Sequence, residues 1–336
     1  MSPEYHLFGI GNALLDTEYQ VQEEFLTQNS IEKGRMTLID SARRNELIRS
    51  VGSTPYGVGA GGSVANAIYA AQGFGCRNFF AGVVGEDEVG KTFVDELTQA
   101  GIDTLPPLKN KLGKSGQCLI FVTPDGERSM NTSIGIADSF HLGDLPKSRI
   151  QSAKFVFVEG YLASSPRGRD AARRVITTAR EAGVQTSMTL ADVSIVKNFK
   201  AALESILVPQ LDIVFCNVEE ALAWSDANTV EASYETMLAL ARLCVITLSD
   251  AGCIVLERGH SPLHVSGFQQ TPIDSNGAGD MFAGAFLTGV VNNWDSYRCA
   301  RFANFAASKI VTQVGARLNS MESYRELWLA FSHESM

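Results

Sequence analysis

Short apolar runs of strand length alternate with segments of helical spacing through most of the chain. Leu7–Ile10, Asn78–Val84, Phe155–Val158, Val184–Leu190, Leu211–Phe215, Leu243–Leu248 and Cys253–Leu256 read as buried strands. Between them Ser63–Gln72, Val89–Ala100, Gly168–Ala182, Val218–Trp224 and Glu235–Arg242 repeat small and apolar residues at helical spacing. Strands that are apolar on both sides need cover on both faces, and crossover helices supply it. The alternation therefore predicts a mostly parallel sheet between helical layers.

Two stretches break the pattern. Residues from about 17 to 54 mix charge, Gln and turns with short apolar patches. From about 106 to 132 the chain reads as a hairpin, with Gln117–Thr123 as one strand, Pro124–Glu127 as the turn and Arg128–Thr132 as the return. These excursions are expected to form a small β lid over one edge of the sheet; the plainer reading is two exposed insertions. The expected division is a core of residues 1–16, 55–105 and 133–330 and a lid of 17–54 and 106–132.

Composition narrows the function. Of 336 residues, 45% are apolar and 19% charged, which suits a globular chain. The 28 basic against 37 acidic residues give a net charge of −9, which argues against a general nucleic-acid binder. A small anionic substrate remains compatible, because a site can differ in sign from the surface around it. No apolar run is long enough to span a membrane, and the N-terminus lacks a signal-peptide pattern, so no membrane partner and a cytoplasmic location are expected. Six scattered cysteines without a CxxC pair read as buried thiols in a reducing compartment.

Three glycine motifs carry candidate chemistry. Gly57-Val-Gly59-Ala-Gly61-Gly62 fits a dinucleotide fingerprint in letters, but a loop precedes it where that fold needs a strand. Gly85-Glu-Asp-Glu-Val-Gly90-Lys91-Thr92 fits a phosphate loop, yet three acidic residues would face the polyphosphate. Asp274-Ser-Asn-Gly277-Ala278-Gly279-Asp280 precedes an apolar, small-residue helix. Its glycines would sit at a helix N-terminus, where unpaired amides and the dipole favour an anion. Asp280 in the first turn is either a proton acceptor beside that anion or simply a favourable first-turn acid.

At this motif the chain resembles the PfkB/ribokinase family of carbohydrate and nucleoside kinases, whose pattern is Asp-Thr-x-Gly-Ala-Gly-Asp; here Ser275 replaces Thr. The resemblance runs from about Leu7 to Gly315. Gly61-Gly62 followed by Asn66 resembles the family's di-glycine hinge, and Gly82–Gly90 its other N-terminal glycine motif, which makes the phosphate-loop match fortuitous. Within the family the likeness is to adenosine kinases, carried by Gly11-Asn12-Ala-Leu-Leu-Asp16, Gly126-Glu127-Arg128-Ser129-Met130 and Val158-Glu159-Gly160-Tyr161-Leu162.

The resemblance implies a ribokinase-like three-layer α/β/α core with a mostly parallel sheet and a small β lid. It implies an ATP-dependent kinase with Mg2+ and a candidate K+ requirement. Asp280 would be the general base, and Gly277, Ala278 and Gly279 the anion hole. Asn12, Asp16, Gly61, Gly62, Asn66 and Tyr161 would lie at the acceptor. Arg128 would either reach the transferring phosphate or be a solvated hairpin charge. Asn217, Glu220, Thr247, Ser249, Gly252 and Asn304 would lie on the nucleotide side, Glu220 meeting magnesium through water. Asp274 would bind a monovalent cation or brace the loop. Ser249 departs from a glycine that the family often has there, and Ser accepts positive φ less readily.

The expected reaction is phosphorylation of a primary hydroxyl of a ribonucleoside, adenosine first. A free sugar or another nucleoside is the alternative acceptor, and a non-catalytic ligand sensor on the same fold is the alternative of a different class. Either a monomer or a homodimer fits the sequence.

Overall fold

A computed structural model describes residues 3–108, 113–208 and 210–334. Residues 1–2 and 109–112, parts of the expected core and lid, lie outside the described residues. The strands are β1 (Tyr5–Ile10), β2 (Leu14–Gln20), β3 (Met36–Leu38), β4 (Gly57–Gly61), β5 (Asn78–Ala81), β6 (Asp103–Thr104) and β7 (Gly116–Val122). There follow β8 (Arg128–Ser133), β9 (Ala153–Glu159), β10 (Gln185–Thr189), β11 (Leu211–Asn217), β12 (Ala241–Thr247), β13 (Gly252–Glu257) and β14 (Leu263–Ser266).

Nine of these form one sheet in the order β14-β13-β12-β11-β10-β9-β1-β5-β6. From β12 across to β6 every pairing is parallel; β13 and β14 close one edge antiparallel. Burial on the central strands is nearly continuous, as a doubly covered sheet requires, and the side chains enter the two cores with a period of two. Phe155 and Phe157, Ile213 and Phe215, and Leu243 and Val245 pack into one core, while Val156 and Val158, Val214 and Cys216, and Cys244 and Ile246 pack into the other. The first core lies under the helices Ser63–Gly73, Ala278–Val291, Ser296–Ile310 and Met321–Glu334. The second lies under Pro166–Glu181, Val193–Leu207, Val218–Ser225 and Val230–Leu240. This is the expected three-layer α/β/α core.

Two glycines set how close the first layer comes. A Cβ on Gly9 would lie 2.6 Å from the Ile68 side chain, so helix Ser63–Gly73 rests directly on β1. A Cβ on Gly284 would lie 2.4 Å from the Ala67 carbonyl oxygen. Helix Ala278–Val291 therefore packs backbone to backbone on Ser63–Gly73, one turn beyond Asp280.

The remaining five strands make a second sheet, β3-β8-β7-β2-β4. Tyr19, Leu47, Leu119 and Phe121 form its own small core with the helix Ser41–Val51. The alternate residues of β2, Asp16 and Glu18, take the other face. Gly59 and Gly57 of β4 stand opposite them in register, and a Cβ on Gly57 would lie 2.8 Å from Glu18 Oε2. The Gly57–Gly62 motif is thus a strand that clears room for carboxylates.

The strands of this sheet fall within residues 14–61 and 116–133, starting earlier and ending later than the expected 17–54 but starting later than the expected 106–132. Leu14 opens β2 because its strand hydrogen bonds to β4 and β7 begin there. The helix expected at Glu235–Arg242 runs Val230–Leu240 instead. Thr229 caps it by accepting from the Ala232 amide, and Ala241 and Arg242 already belong to β12.

Candidate active site

The parallel strands present their carboxyl ends on one side, and β1 lies where the sequence order turns, with β5 on one flank and β9 on the other. Such a switch point leaves a crevice beyond the strand ends. Asn12 follows β1 and Glu159 ends β9, and they join across it: the Asn12 backbone N–H and side-chain amide both donate to Glu159 Oε1 at 3.2 Å. Glu159 Oε2 accepts from the Val64 amide, so one buried carboxylate also caps the helix Ser63–Gly73. Burial pushes its pKa to about 8, against the pull of those donors. The Asn12 side-chain oxygen is buried without a hydrogen-bond partner.

Above this floor the turn Gly277–Asp280 begins helix Ala278–Val291. Gly277 has φ +73, and a Cβ there would lie 2.6 Å from the Ala316 backbone, so the left-handed turn and the close approach both require glycine. Ala278 donates to the Ser275 carbonyl. The amides of Gly279 and Asp280 have no acceptor among the described residues, and the position of a Gly279 Cβ is open space. These are the free first-turn donors of a helix, with the dipole behind them.

Asp280 is held from the helix beneath it. Ser63 Oγ donates to Oδ1 at 2.6 Å and Asn66 Nδ2 donates to Oδ2 at 3.0 Å. Burial raises its pKa above the ordinary carboxylate range, with those donors and Arg317 pulling the other way. Asp16 faces the same cleft from β2 with no hydrogen-bond partner among the described residues. Burial pushes its pKa up to about 7; Arg317 opposes the rise, and Glu18 and Asp280 add to it. A Cβ on Gly61 would lie 2.2 Å from Asp16 Oδ2, and one on Gly62, at φ +97, would lie 2.4 Å from the Asn12 carbonyl. Tyr161 is half-buried, and its hydroxyl proton is held well above the ordinary range by burial and by Asp192, Glu159, Glu220 and Asp280.

Arg128 points inward. Its Nη1 lies 2.9 Å from Glu18 Oε1 and its Nη2 2.5 Å from Asp274 Oδ2. Asp274 also accepts from the amides of Asn276 and Gly315. Neither a solvated hairpin charge nor a free carboxylate is present here. In the phosphate-loop look-alike, Asp87 accepts from Gly90 and Ser115 and so caps its own helix.

The family model for pfkB family carbohydrate kinases matches residues 39–323. The chain belongs to that family. It is 30% identical to the adenosine kinase of Sinorhizobium meliloti, whose crystal structure superposes with a TM-score of 0.90 over 99% of this chain and 100% of that one. A probable sugar kinase from Rhizobium etli is 28% identical, with a TM-score of 0.91 over 99% of both chains. The adenosine kinase of Saccharomyces cerevisiae is 26% identical over 328 residues, 91% of this chain and 94% of that protein. The molecule is therefore a sugar or nucleoside kinase on the ribokinase-like fold.

In this PfkB kinase the residues expected on the nucleotide side line the far strand ends. Asn217 and Glu220 bind each other in a capping box, with each Glu220 oxygen accepting from Asn217. Burial pushes the Glu220 pKa to about 8. Ser249 has φ +53, so the position does take the conformation that favours glycine. At Gly252, with φ +103, a Cβ would lie 2.1 Å from the Val265 carbonyl. Asn304 donates to the carbonyls of Val265 and Ser266 and braces β14. Thr247 Oγ1 reaches the Cys216 carbonyl at 3.5 Å.

Sequence reasoning passed over Ser63, Arg317 and Asp192. Ser63 and Asp280 lie 217 positions apart, so no local pattern joins them. Ser63 directly follows the di-glycine, at the first turn of a helix, and that place was the available signal. Asp192 caps the helix after β10 through the Ser194 amide, next to Ala191 at φ +75. Among the described residues no cluster of three or more His, Cys, Asp or Glu is arranged to hold a metal, and no helix is long and apolar enough to cross a membrane.

Proposed function

We propose that this kinase transfers the γ-phosphoryl group of ATP to a primary hydroxyl of a ribonucleoside, adenosine first, giving AMP. The carrying observation is Asp280: a carboxylate fixed by Ser63 and Asn66, placed directly beside the acceptor-free amides of Gly279 and Asp280. Asp280 takes the proton of the acceptor hydroxyl. The oxygen attacks the γ-phosphorus, the bond from that phosphorus to the bridging oxygen breaks, and ADP leaves with the electron pair. The Gly277–Gly279 turn faces the charge on the transferring group.

Asp16 and Asn12 hold the ribose hydroxyls. Asp16 brings two free acceptor oxygens, and Asn12 an oxygen that is buried without a donor. Gly61, Gly62 and Asn66 border the same sugar. The second sheet serves as a lid that excludes water and limits futile ATP hydrolysis. Arg128 and Asp274 brace the lid against the loop.

Magnesium bound with ATP offsets phosphate charge. Glu220 would meet it through water, because magnesium keeps several of its own waters, while both Glu220 oxygens also accept from Asn217. Thr247, Ser249, Gly252 and Asn304 border the nucleotide.

Support for adenosine comes from the relatives that bear that name. Support for a second reading, a free sugar, comes from Phe140. This ring is buried with Ile136 and Leu145 in the second core and offers no stacking wall, while Tyr161 stays half-buried.

ADP release with magnesium and ATP decides the matter, using adenosine, inosine, guanosine, cytidine, ribose and fructose. Turnover with adenosine alone, lost by about 100-fold or more in Asp280→Asn, is the expected result. A response to ribose or fructose instead moves the acceptor to a sugar. Binding without turnover of any member would make the protein a sensor and overturn the proposal.

A further inference from the structure

Arg317 belongs to none of the motifs above, yet its guanidinium is built into the site. Nε donates to Asn66 Oδ1 at 2.9 Å, and the same amide's Nδ2 donates to Asp280 Oδ2 at 3.0 Å. The guanidinium carbon lies 4.3 Å from the centre of the Tyr69 ring. Nη1 and Nη2 are buried without a hydrogen bond, and the nearest acid, Glu96, is 3.6 Å from Nη1. Glu96 itself accepts from the Ala60 amide. The backbone is pinned on both sides: the Arg317 carbonyl accepts from Gln313, and the Leu318 amide donates to the Tyr324 hydroxyl. Burying a cation with unused donors is costly unless it answers nearby negative charge.

Asp280 from the helix Ala278–Val291, Asp16 from β2 and Glu96 from the helix Glu88–Gln99 face the guanidinium, together with Tyr69 and Tyr324; Glu159, from the end of β9, and Tyr161 face Asp280 instead. An Asn amide also has two orientations. With Oδ1 toward Arg317, Nδ2 meets the Asp280 carboxylate; reversed, oxygen would face oxygen and N–H would face N–H.

We propose that Arg317 is a positioning residue for the transfer, orienting the Asn66 amide toward Asp280 and supplying the positive charge that faces Asp280. The proposal rests on Asp280 as the base. Its direct test needs no substrate, so a silent kinase assay would count against the proposed function alone.

The test follows the 13Cγ resonance of Asp280 through a pH titration of the ligand-free protein, assigned by its loss in Asp280→Asn. Arg317→Gln should move the midpoint up by about one pH unit or more, and Arg317→Lys, which keeps the charge, by much less. The acid limb of kcat/KM should follow the same order, with kcat at pH 7 down about 10-fold or more in Arg317→Gln. An unmoved midpoint in folded Arg317→Gln overturns the proposal. Equal movement in Gln and Lys variants also overturns it, because loss of packing alone would do that. Should Arg317→Gln not fold, Arg317→Met, which keeps an unbranched stem beside Tyr69 but neither charge nor donor, takes its place; a raised midpoint supports the proposal and an unmoved one ends it.

Discussion

Arg128 Nη2 stands 2.5 Å from Asp274 Oδ2, and through that contact the second sheet is tied to the loop that leads into the Gly277–Asp280 turn. Glu18 holds the other arm of the guanidinium. Removing the cation would strand two buried carboxylates. Arg128→Gln should therefore lose about 3–5 kcal/mol of stability in urea denaturation. A loss under about 1 kcal/mol would mean that water already screens the pair.

Gly279 and Gly284 share a helix and should respond in opposite ways. At Gly284 an added methyl meets the Ala67 carbonyl, so Gly284→Ala should destabilise by about 1–3 kcal/mol and lower kcat by shifting Asp280 off Ser63 and Asn66. At Gly279 the methyl meets nothing. Gly279→Ala should leave the melting temperature level or higher while weakening phosphate approach and turnover. Thermal melts beside turnover separate the two, and a Gly279→Ala enzyme with full activity would remove the turn from the phosphate site.

Asp16 gives a pH dependence whose sign is fixed. Its folded value of about 7 lies above the ordinary 3.8, so the folded chain holds this proton more tightly than the unfolded one. Its favourable contribution is complete below 3.8 and is lost as pH rises through about 7. Asp16→Asn should thus stabilise the ligand-free protein at pH 8, on the order of 2 kcal/mol, and leave it level at pH 4. Equal effects at both pH values in denaturant melts would show that the carboxylate is well solvated. The same variant should lose acceptor binding.

Ser249 carries φ +53 without being glycine. Ser249→Val should cost about 1–2 kcal/mol, since a β-branched residue resists this region, while Ser249→Gly should be neutral or mildly stabilising. Chemical denaturation of the three proteins ranks them directly. A Val variant as stable as the parent would show that the turn relaxes.

The parallel sheet was legible because apolar runs dominate its central strands, with β10 the polar exception, and both cores then follow from alternation. Asp280 was legible because the glycine turn and its acid are four consecutive residues. The site's supports were not. Ser63, Asn66 and Arg317 meet Asp280 or one another across more than 200 positions, and single polar residues inside helices or loops have no pattern of their own. Asp16 was placed by resemblance, but β2 around it reads as polar because its cleft-facing side carries the carboxylates. Arg128 reads either as a phosphate contact or as a solvated hairpin charge, since nothing local foretells its pairing with Asp274.

The strand Gly57–Gly61 bears on how this enzyme changes over evolutionary time. Its glycines put bare backbone under Asp16 and Glu18, and side chains at Gly57 or Gly61 would collide with those carboxylates. That wall offers selection almost nothing to vary by single substitutions. On the proposed acceptor site, new acceptor preferences would then arise elsewhere, around Tyr161 after β9. Relatives that differ in acceptor should diverge there first, while the glycine strand stays as it is.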